Sequence, residues 1–142
     1  MKHELAIRIR VHNPLAGVAM KVQRGRNELL EPAKVSIDSL IFDFEISVDL
    51  GAKTPNFLGS YAQGPKNARF IYVNSGEYAG QDDTCWARRA KLSLMSVSSE
   101  QVEEVLSTPG ARLEISFAGR GGRDGGPACA SVKGLEWRVV KN

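Results

Sequence analysis

The chain has 142 residues, of which 19 are lysine or arginine and 16 are aspartate or glutamate, for a formal net charge of +3. A chain of this length removes roughly 68–70% of its unfolded surface from water, enough for a core without a metal or a disulfide. We therefore expect one domain over residues 1–142 with no cofactor. The charge excess is too small to require a nucleic-acid partner, which is disfavoured.

The N-terminal sequence predicts a cytoplasmic protein with no membrane partner. Charges interrupt every apolar pair of MKHELAIRIRVHN, so it lacks the apolar core of a signal peptide. No run approaches the roughly eighteen apolar residues of a membrane span. In a reducing compartment, Cys85 and Cys129 are expected to be free thiols rather than a structural disulfide.

The first predicted strand alternates strictly. Leu5, Ile7, Ile9 and Val11 share one face, and Glu4, Arg8, Arg10 and His12 share the other. This period of two is typical of a half-buried strand. The runs VAMKVQ, RGRN and ELLEPAKVS then predict a hairpin whose second arm carries Pro32 at a sheet edge.

The run LIFDFEISVDL, residues 40–50, alternates again and gives the strongest strand pattern. Its outward acids Asp43, Glu45 and Asp49 are expected to pair across strands with Arg8 and Arg10. The run RFIYVN is apolar on both faces, which favours a central strand in a sheet. WARRAKLSL, RLEISF and the alternation around Trp137 predict the remaining strands.

The segment SSEQVEEVLS is the exception to the β pattern. Ser98 and Gln101 have the spacing of a capping box, and an apolar stripe at helical spacing follows before Pro109 and Gly110. The sequence therefore predicts a mainly β fold, either a twisted antiparallel sandwich or a partly closed barrel, with one short helix at about 98–107.

Three segments are not explained by a core: TPNFLGSYAQGP, GEYAGQDDTCWARRAK and GRGGRDGGPACA. The overlapping runs FLGSYAQGP, RFIYVNSGEYAGQDDTCWARRAK and GRDGGPACASVK resemble the signature segments of a family of small bacterial proteins known only as a domain of unknown function. The likeness runs from about Leu5 to Val140. The sequence departs from the family pattern at Ser60 and Tyr61, where a proline and an apolar residue are expected. The resemblance implies no activity.

Arg88 is the most ambiguous residue of these segments. If WARRAKLSL is a strand throughout, Arg88 shares a face with Trp86 and Leu92, whereas Arg89 and Lys91 lie on the other, solvated face. A buried guanidinium needs a partner. It either pairs with Asp82, Asp83 or Asp124, or presents its two parallel donors to a ligand carboxylate or phosphate.

Cys85 is a candidate nucleophile that the sequence equips poorly. The histidines, His3 and His12, lie in the first strand, and an inert buried thiol is the more common state of a free cysteine. Two isolated cysteines also lack the spacing of a zinc motif, so we predict no metal site.

The other segments add polar groups suited to a small ligand. The stretch GRGGRDGGP, which contains Arg123, lets backbone N–H groups approach a ligand closely, although it fits a flexible turn as well. Rings and amides such as Tyr78 and Gln63 suit sugars or nucleosides, although the rings equally suit the edge of a core. The predicted ligand-binding residues are Gln63, Tyr78, Gln81, Asp82, Asp83, Cys85, Arg88, Arg123 and Asp124.

We expect a non-catalytic domain that binds a small polar ligand, anionic or polyol, through loops 55–66, 75–88 and 119–130. One alternative is an enzyme in which Asp83 or Glu77 acts as acid and base, with Cys85 as a nucleophile. Another is a module that binds a protein or a nucleic acid. The sequence leaves the oligomeric state open.

Overall fold

The computed structural model describes residues 2–12, 20–24, 28–50, 54–58, 70–75, 89–118 and 136–141. Within these ranges the elements are β1 (Lys2–His12), β2 (Met20–Arg24), β3 (Glu28–Leu30), β4 (Lys34–Val35), β5 (Ser39–Asp49), β6 (Asn56–Leu58), β7 (Phe70–Ser75), β8 (Arg89–Ser93), α1 (Ser99–Ser107), β9 (Arg112–Ala118) and β10 (Arg138–Val140). The predicted mainly β fold with one short helix is confirmed.

A six-stranded sheet is built around β1. Its order is β10-β9-β1-β5-β4. The sixth strand, β6, also pairs with β5, on the same side of β5 as β4. β1 runs antiparallel to β5 along its whole length, but its pairing with β9 is parallel. The sandwich is therefore not purely antiparallel, because β9 returns to the sheet only after the chain has passed through a second sheet and α1.

The second sheet has four strands in the order β3-β2-β7-β8, all antiparallel. β7 lies inside it, as the apolar run RFIYVN predicts. The predicted hairpin is confirmed in β2 and β3, but its second arm does not stay in one sheet: β4 pairs with β5 of the six-stranded sheet. Pro32 lies between β3 and β4, and proline has no N–H with which to continue a ladder.

The two sheets bury a shared hydrophobic core. The six-stranded sheet contributes Leu5, Ile7, Ile9, Val11, Leu40, Phe42, Ile46, Val48, Leu113, Ile115 and Phe117, and the four-stranded sheet contributes Met20, Val22, Ile71, Val73 and Leu92. No ladder joins the two sheets within the described ranges. The described strands thus form two sheets that share one core, and they do not close into a barrel.

The helix α1 begins with the predicted capping box. The Ser98 hydroxyl accepts a hydrogen bond from the backbone N–H of Gln101, and Gln101 Oε1 accepts one from the N–H of Ser98 at 3.0 Å. These bonds satisfy donors that the first turn of a helix leaves open. Val102 and Val105 turn inward and join the core.

After α1 the chain turns at residues 108–111, where the N–H of Ala111 donates to the carbonyl of Thr108. Gly110 has a φ of 80° there, at a turn position that favours glycine.

Trp137 and Gln101 connect the two sheets and the helix. The buried Trp137, next to β10, donates through Nε1 to the carbonyl of Ser93 at the end of β8, at 2.8 Å. Gln101 Nε2 donates to the carbonyl of Trp137, also at 2.8 Å. Gln101 thus uses one side-chain atom to cap the helix and the other to hold β10.

The substitution Gln101→Glu separates these two roles, because a glutamate keeps the acceptor for Ser98 but loses the donor to Trp137. We expect it to lower the free energy of unfolding by about 1–3 kcal/mol, since the Trp137 carbonyl then faces an oxygen. Urea unfolding followed by tryptophan fluorescence measures this change.

Glu103→Gln, at an exposed helix position, is the matched control and should change the stability by less than about 0.5 kcal/mol. Equal effects of the two substitutions would show that the bond to Trp137 contributes nothing.

Candidate functional site

The predicted ligand-binding residues belong to segments outside the described residues. They are Gln63, Tyr78, Gln81, Asp82, Asp83, Cys85, Arg88, Arg123 and Asp124. The alternative acid-base residue Glu77 and the second thiol, Cys129, also fall outside those ranges. What the structure provides is the set of strand ends to which these segments are attached.

Segment 76–88 joins two neighbouring strands of the four-stranded sheet. It leaves β7 after Ser75, which lies opposite Met20, and enters β8 at Arg89, which lies opposite Asn74. Both attachments are therefore at the same end of the sheet, beside the start of β2. Leu92 and Leu94 are both buried, which shows which face of the chain in and after β8 is turned towards the core.

Segment 119–135 leaves the end of β9, where Ala118 lies opposite His12, the last residue of β1. The next residues along the chain from His12 are 13–19, and they lead directly to Met20 at the start of β2. Eight Cα steps reach at most about 30 Å. The strand ends that carry segments 76–88 and 119–135 therefore lie within about 30 Å of each other.

The predicted loop 55–66 is attached differently. Residues 56–58 are not a loop but strand β6, paired with β5, and Phe57 is buried. Asn56 lies opposite Asp49, at the end of the six-stranded sheet away from His12. The chain then enters β7 at Phe70, the opposite end from Ser75. The strand ends that hold Gln63 therefore differ from those that hold the other two segments.

The charged residues that the structure does describe lie on the outer face of the six-stranded sheet. Arg8 and Asp43 are directly opposite each other on β1 and β5. Arg8 Nε donates to Asp43 Oδ1 at 2.7 Å and Arg8 Nη2 donates to Asp43 Oδ2 at 3.0 Å. This is the two-bond geometry of a strong arginine-carboxylate pair. The side chains are only 15% and 18% exposed.

Two further arginines, Arg112 and Arg10, make contacts between β9 and the two strands of this pair. Arg112 Nη1 donates to the carbonyl of Ile7 at 3.2 Å and lies 3.9 Å from Asp43 Oδ1. Arg10 Nη2 lies 3.5 Å from Glu114 Oε2. The predicted pairing of Arg8 with an acid of β5 is confirmed, but Arg10 pairs with β9 instead. We call Arg8, Asp43, Arg112, Arg10 and Glu114 the outer-face network.

The network perturbs the acid-base behaviour of its central pair. Burial alone would raise the pKa of Asp43, but the hydrogen bond from Arg8 and the charges of Arg112, Arg8 and Lys34 outweigh it and lower that pKa below its ordinary value. The hydrogen bond to Asp43 raises the pKa of Arg8, against the opposing effect of burial, and the charges of Asp43 and Glu114 add to the rise. Both groups are held in their charged forms.

The outer-face network is better suited to fixing strand register than to binding a ligand. Each of its arginines already interacts with an acid or a backbone carbonyl of the same sheet. A one-residue slip of β1 against β5 would separate Arg8 from Asp43 and expose the core face. Among the described residues, no three acids, histidines or cysteines are grouped so as to hold a metal ion.

A comparison with protein families identifies the chain. Residues 5–140 match DUF5990, described as a family of unknown function. The chain belongs to this family. The match to DUF5990 covers the described strands from Leu5 onward and all three loop segments, and it brings no assigned activity with it. No curated protein and no solved structure matched the chain. In the described part of this DUF5990 member, no helix is long and apolar enough to cross a membrane.

The substitution Asp43→Asn tests the role of the Arg8–Asp43 pair in holding β1 and β5 in register, through the pH dependence of the unfolding free energy. The pKa of Asp43 is lower in the folded than in the unfolded protein, so its stabilising contribution is complete above the ordinary value of about 3.9 and is lost as the pH falls through the folded value. At pH 7 we expect the variant to lose about 1–3 kcal/mol of unfolding free energy. This deficit should shrink below about pH 4, where the protonated aspartic acid resembles asparagine.

Urea unfolding at pH 7, 4 and 3 measures the deficit. Glu45→Gln, an exposed acid on the same strand, serves as the control and should stay close to the parent at each pH. A deficit for Asp43→Asn that does not vary with pH would contradict the assigned role.

Proposed function

We propose that the protein is a non-catalytic binding domain for a small polar ligand, anionic or polyol, held by the polar segments 75–88 and 119–130, with 55–66 at the rim. The proposal rests on a contrast between the arginines of the outer-face network and the arginines of the polar segments. The arginines of the outer-face network are engaged within the sheet. Arg88 and Arg123 belong to segments for which the core gives no reason, and loops carried by a rigid scaffold commonly bind ligands.

The strand ends support placing the charged contacts in two of the segments. Segments 76–88 and 119–135 are attached beside Met20 and His12, which residues 13–19 tether together. An arginine from each would give a ligand carboxylate or phosphate two positively charged forks. Gln63, whose segment is attached at other strand ends, is assigned a weaker role that a separate variant can test.

Thermal unfolding with added ligand tests the proposal. We use inorganic phosphate, succinate and glycerol as probes, each from micromolar to high millimolar concentration. Binding to the folded state should raise the unfolding temperature with saturation, because a ligand at 100 times its dissociation constant adds about 2.7 kcal/mol of stability. Arg88→Met and Arg123→Met should each weaken the binding of phosphate or succinate by at least about tenfold. This is the effect expected from the loss of about 1.4 kcal/mol or more of a charge-assisted hydrogen bond.

Arg138→Met is the matched control, because Arg138 is exposed on β10 and outside the proposed segments. It should leave the response unchanged, and Gln63→Ala should weaken it by less than the arginine variants do. A parent protein that saturates with none of the three probes, or an equal loss in Arg138→Met, would contradict the proposal.

The reactivity of Cys85 separates binding from covalent catalysis. A catalytic cysteine needs a lowered pKa and reacts as a thiolate below neutral pH. We expect neither thiol of the native protein to react quickly with a disulfide reagent at pH 6, and both to react after unfolding. A fast reaction that is lost in Cys85→Ser but kept in Cys129→Ser would favour an enzyme instead.

A further inference from the structure

The outer face of the four-stranded sheet carries cations at strand positions that include no acid. Val22, Ile71 and Leu92 are buried and mark the inner face, so the alternate positions of β2, β7 and β8 lie on the outer one. Those outer positions hold Lys21, Gln23, Phe70, Tyr72, Asn74, Arg89, Lys91 and Ser93. The six-stranded sheet differs, because Asp43 and Glu114 match the arginines of its outer face.

Strand register arranges six of these residues in two rows across the sheet. The rows are Lys21–Asn74–Arg89 and Gln23–Tyr72–Lys91. We call these six residues the basic face. Neighbouring strands lie about 4.8 Å apart, so each row spans about 10 Å from β2 to β8. Tyr72 thus occupies the middle strand, with Lys21 on the strand at one side and Lys91 on the strand at the other.

The side chains that the structure describes on the basic face are accessible. The side chain of Lys21 is 41% exposed, and Gln23 and Tyr72 are half-buried. Lys21 Nζ lies 3.2 Å from Oε1 of Glu31, whose side chain is 72% exposed. An ion pair between two exposed side chains contributes little to stability, so Lys21 can exchange Glu31 for another anion. The helix α1 packs against β1, β9 and β10, which belong to the other sheet.

This combination of residue types suits single-stranded nucleic acid. Cations attract its phosphates, an aromatic ring offers a surface on which a base stacks, and amides hydrogen-bond the edges of unpaired bases. In a duplex the bases stack on one another inside the helix, where a ring on a sheet does not reach them. A tyrosine between cations therefore favours a single strand over a duplex.

We propose that the basic face binds single-stranded nucleic acid, a function in addition to the small-ligand binding proposed above. The cations at positions 21, 89 and 91 bind phosphates, and Tyr72 stacks on a base. The net charge of +3 disfavours a nucleic-acid partner for the chain as a whole, but attraction depends on the local density of charge. With about three phosphates neutralised, the binding depends strongly on salt.

Fluorescence anisotropy with a labelled oligothymidylate of about ten nucleotides tests the proposal. The parent protein should bind it saturably at about 20 mM salt. About three phosphate contacts predict a slope of about −2 for the logarithm of affinity against the logarithm of salt concentration, so about 200 mM salt should weaken binding roughly 100-fold. A duplex of the same length should bind more weakly, because its bases are not available to Tyr72.

Two kinds of variant separate charge from stacking. Lys21→Gln and Lys91→Gln each remove one phosphate contact, so the slope should fall in magnitude by about 0.7 in each. Tyr72→Leu should weaken binding by at least about fivefold at every salt concentration and leave the slope unchanged. Tyr72→Phe keeps the ring and should bind within about twofold of the parent.

Arg138→Gln is the matched control for charge. Arg138 is exposed on β10 of the other sheet, and its replacement changes the net charge by the same amount as Lys91→Gln does. The slope of this variant should equal that of the parent. Thermal unfolding of each variant checks that it folds, which matters for Lys21 because it pairs with Glu31.

Each of the following results would overturn the proposal. A parent protein without saturable binding at about 20 mM salt has no such surface. An equal change of slope in Arg138→Gln and Lys91→Gln would mean that attraction does not use the basic face. Unchanged binding in Tyr72→Leu, or equal affinity for the duplex, would mean that the face binds polyanions in general. The duplex comparison uses the parent protein, so it decides the role of the ring even if Tyr72→Leu does not fold.

Discussion

The parallel pairing of β1 with β9 constrains the path of the whole chain. Two parallel neighbours cannot be joined by a tight turn, so a long connection must carry the chain from the end of β1 back to the start of β9. That connection contains β5, the four-stranded sheet and α1. Its return is secured by Arg112 at the start of β9, whose guanidinium contacts the Ile7 carbonyl of β1 and approaches Asp43 of β5. The core and the outer-face network thus meet on the same three strands.

The elements with local patterns were predictable from the sequence. β1 and β5 alternate strictly because one face of each enters the core, and α1 has a capping box whose two partners are three residues apart. Local spacing does not report which strands are neighbours. Arg10 therefore pairs with Glu114 of β9 rather than with an acid of β5, and β3 and β4 separate into different sheets at Pro32. The parallel register of β9 has no signature in the alternation of its residues.

The candidate site was predictable only as a set of residues unexplained by the core. Packing arguments account for Leu92 and Trp137, whose burial follows from alternation, but they do not state whether a guanidinium such as that of Arg88 meets an internal carboxylate or a ligand. The outer-face network illustrates the internal outcome, in which three arginines interact with two acids and a backbone carbonyl of the same sheet. The proposed binding function requires the other outcome for Arg88 and Arg123. Family membership is neutral between the two, since DUF5990 has no assigned activity.

A crystal structure of the protein as purified, grown without small anions or polyols, tests the central claim most directly. The binding function predicts Arg88 and Arg123 on one cleft with Tyr78, with density for a trapped molecule within hydrogen-bonding distance of both guanidinium groups. Arg88 paired with Asp82, Asp83 or Asp124, with Arg123 and Tyr78 on other faces of the domain, would contradict it.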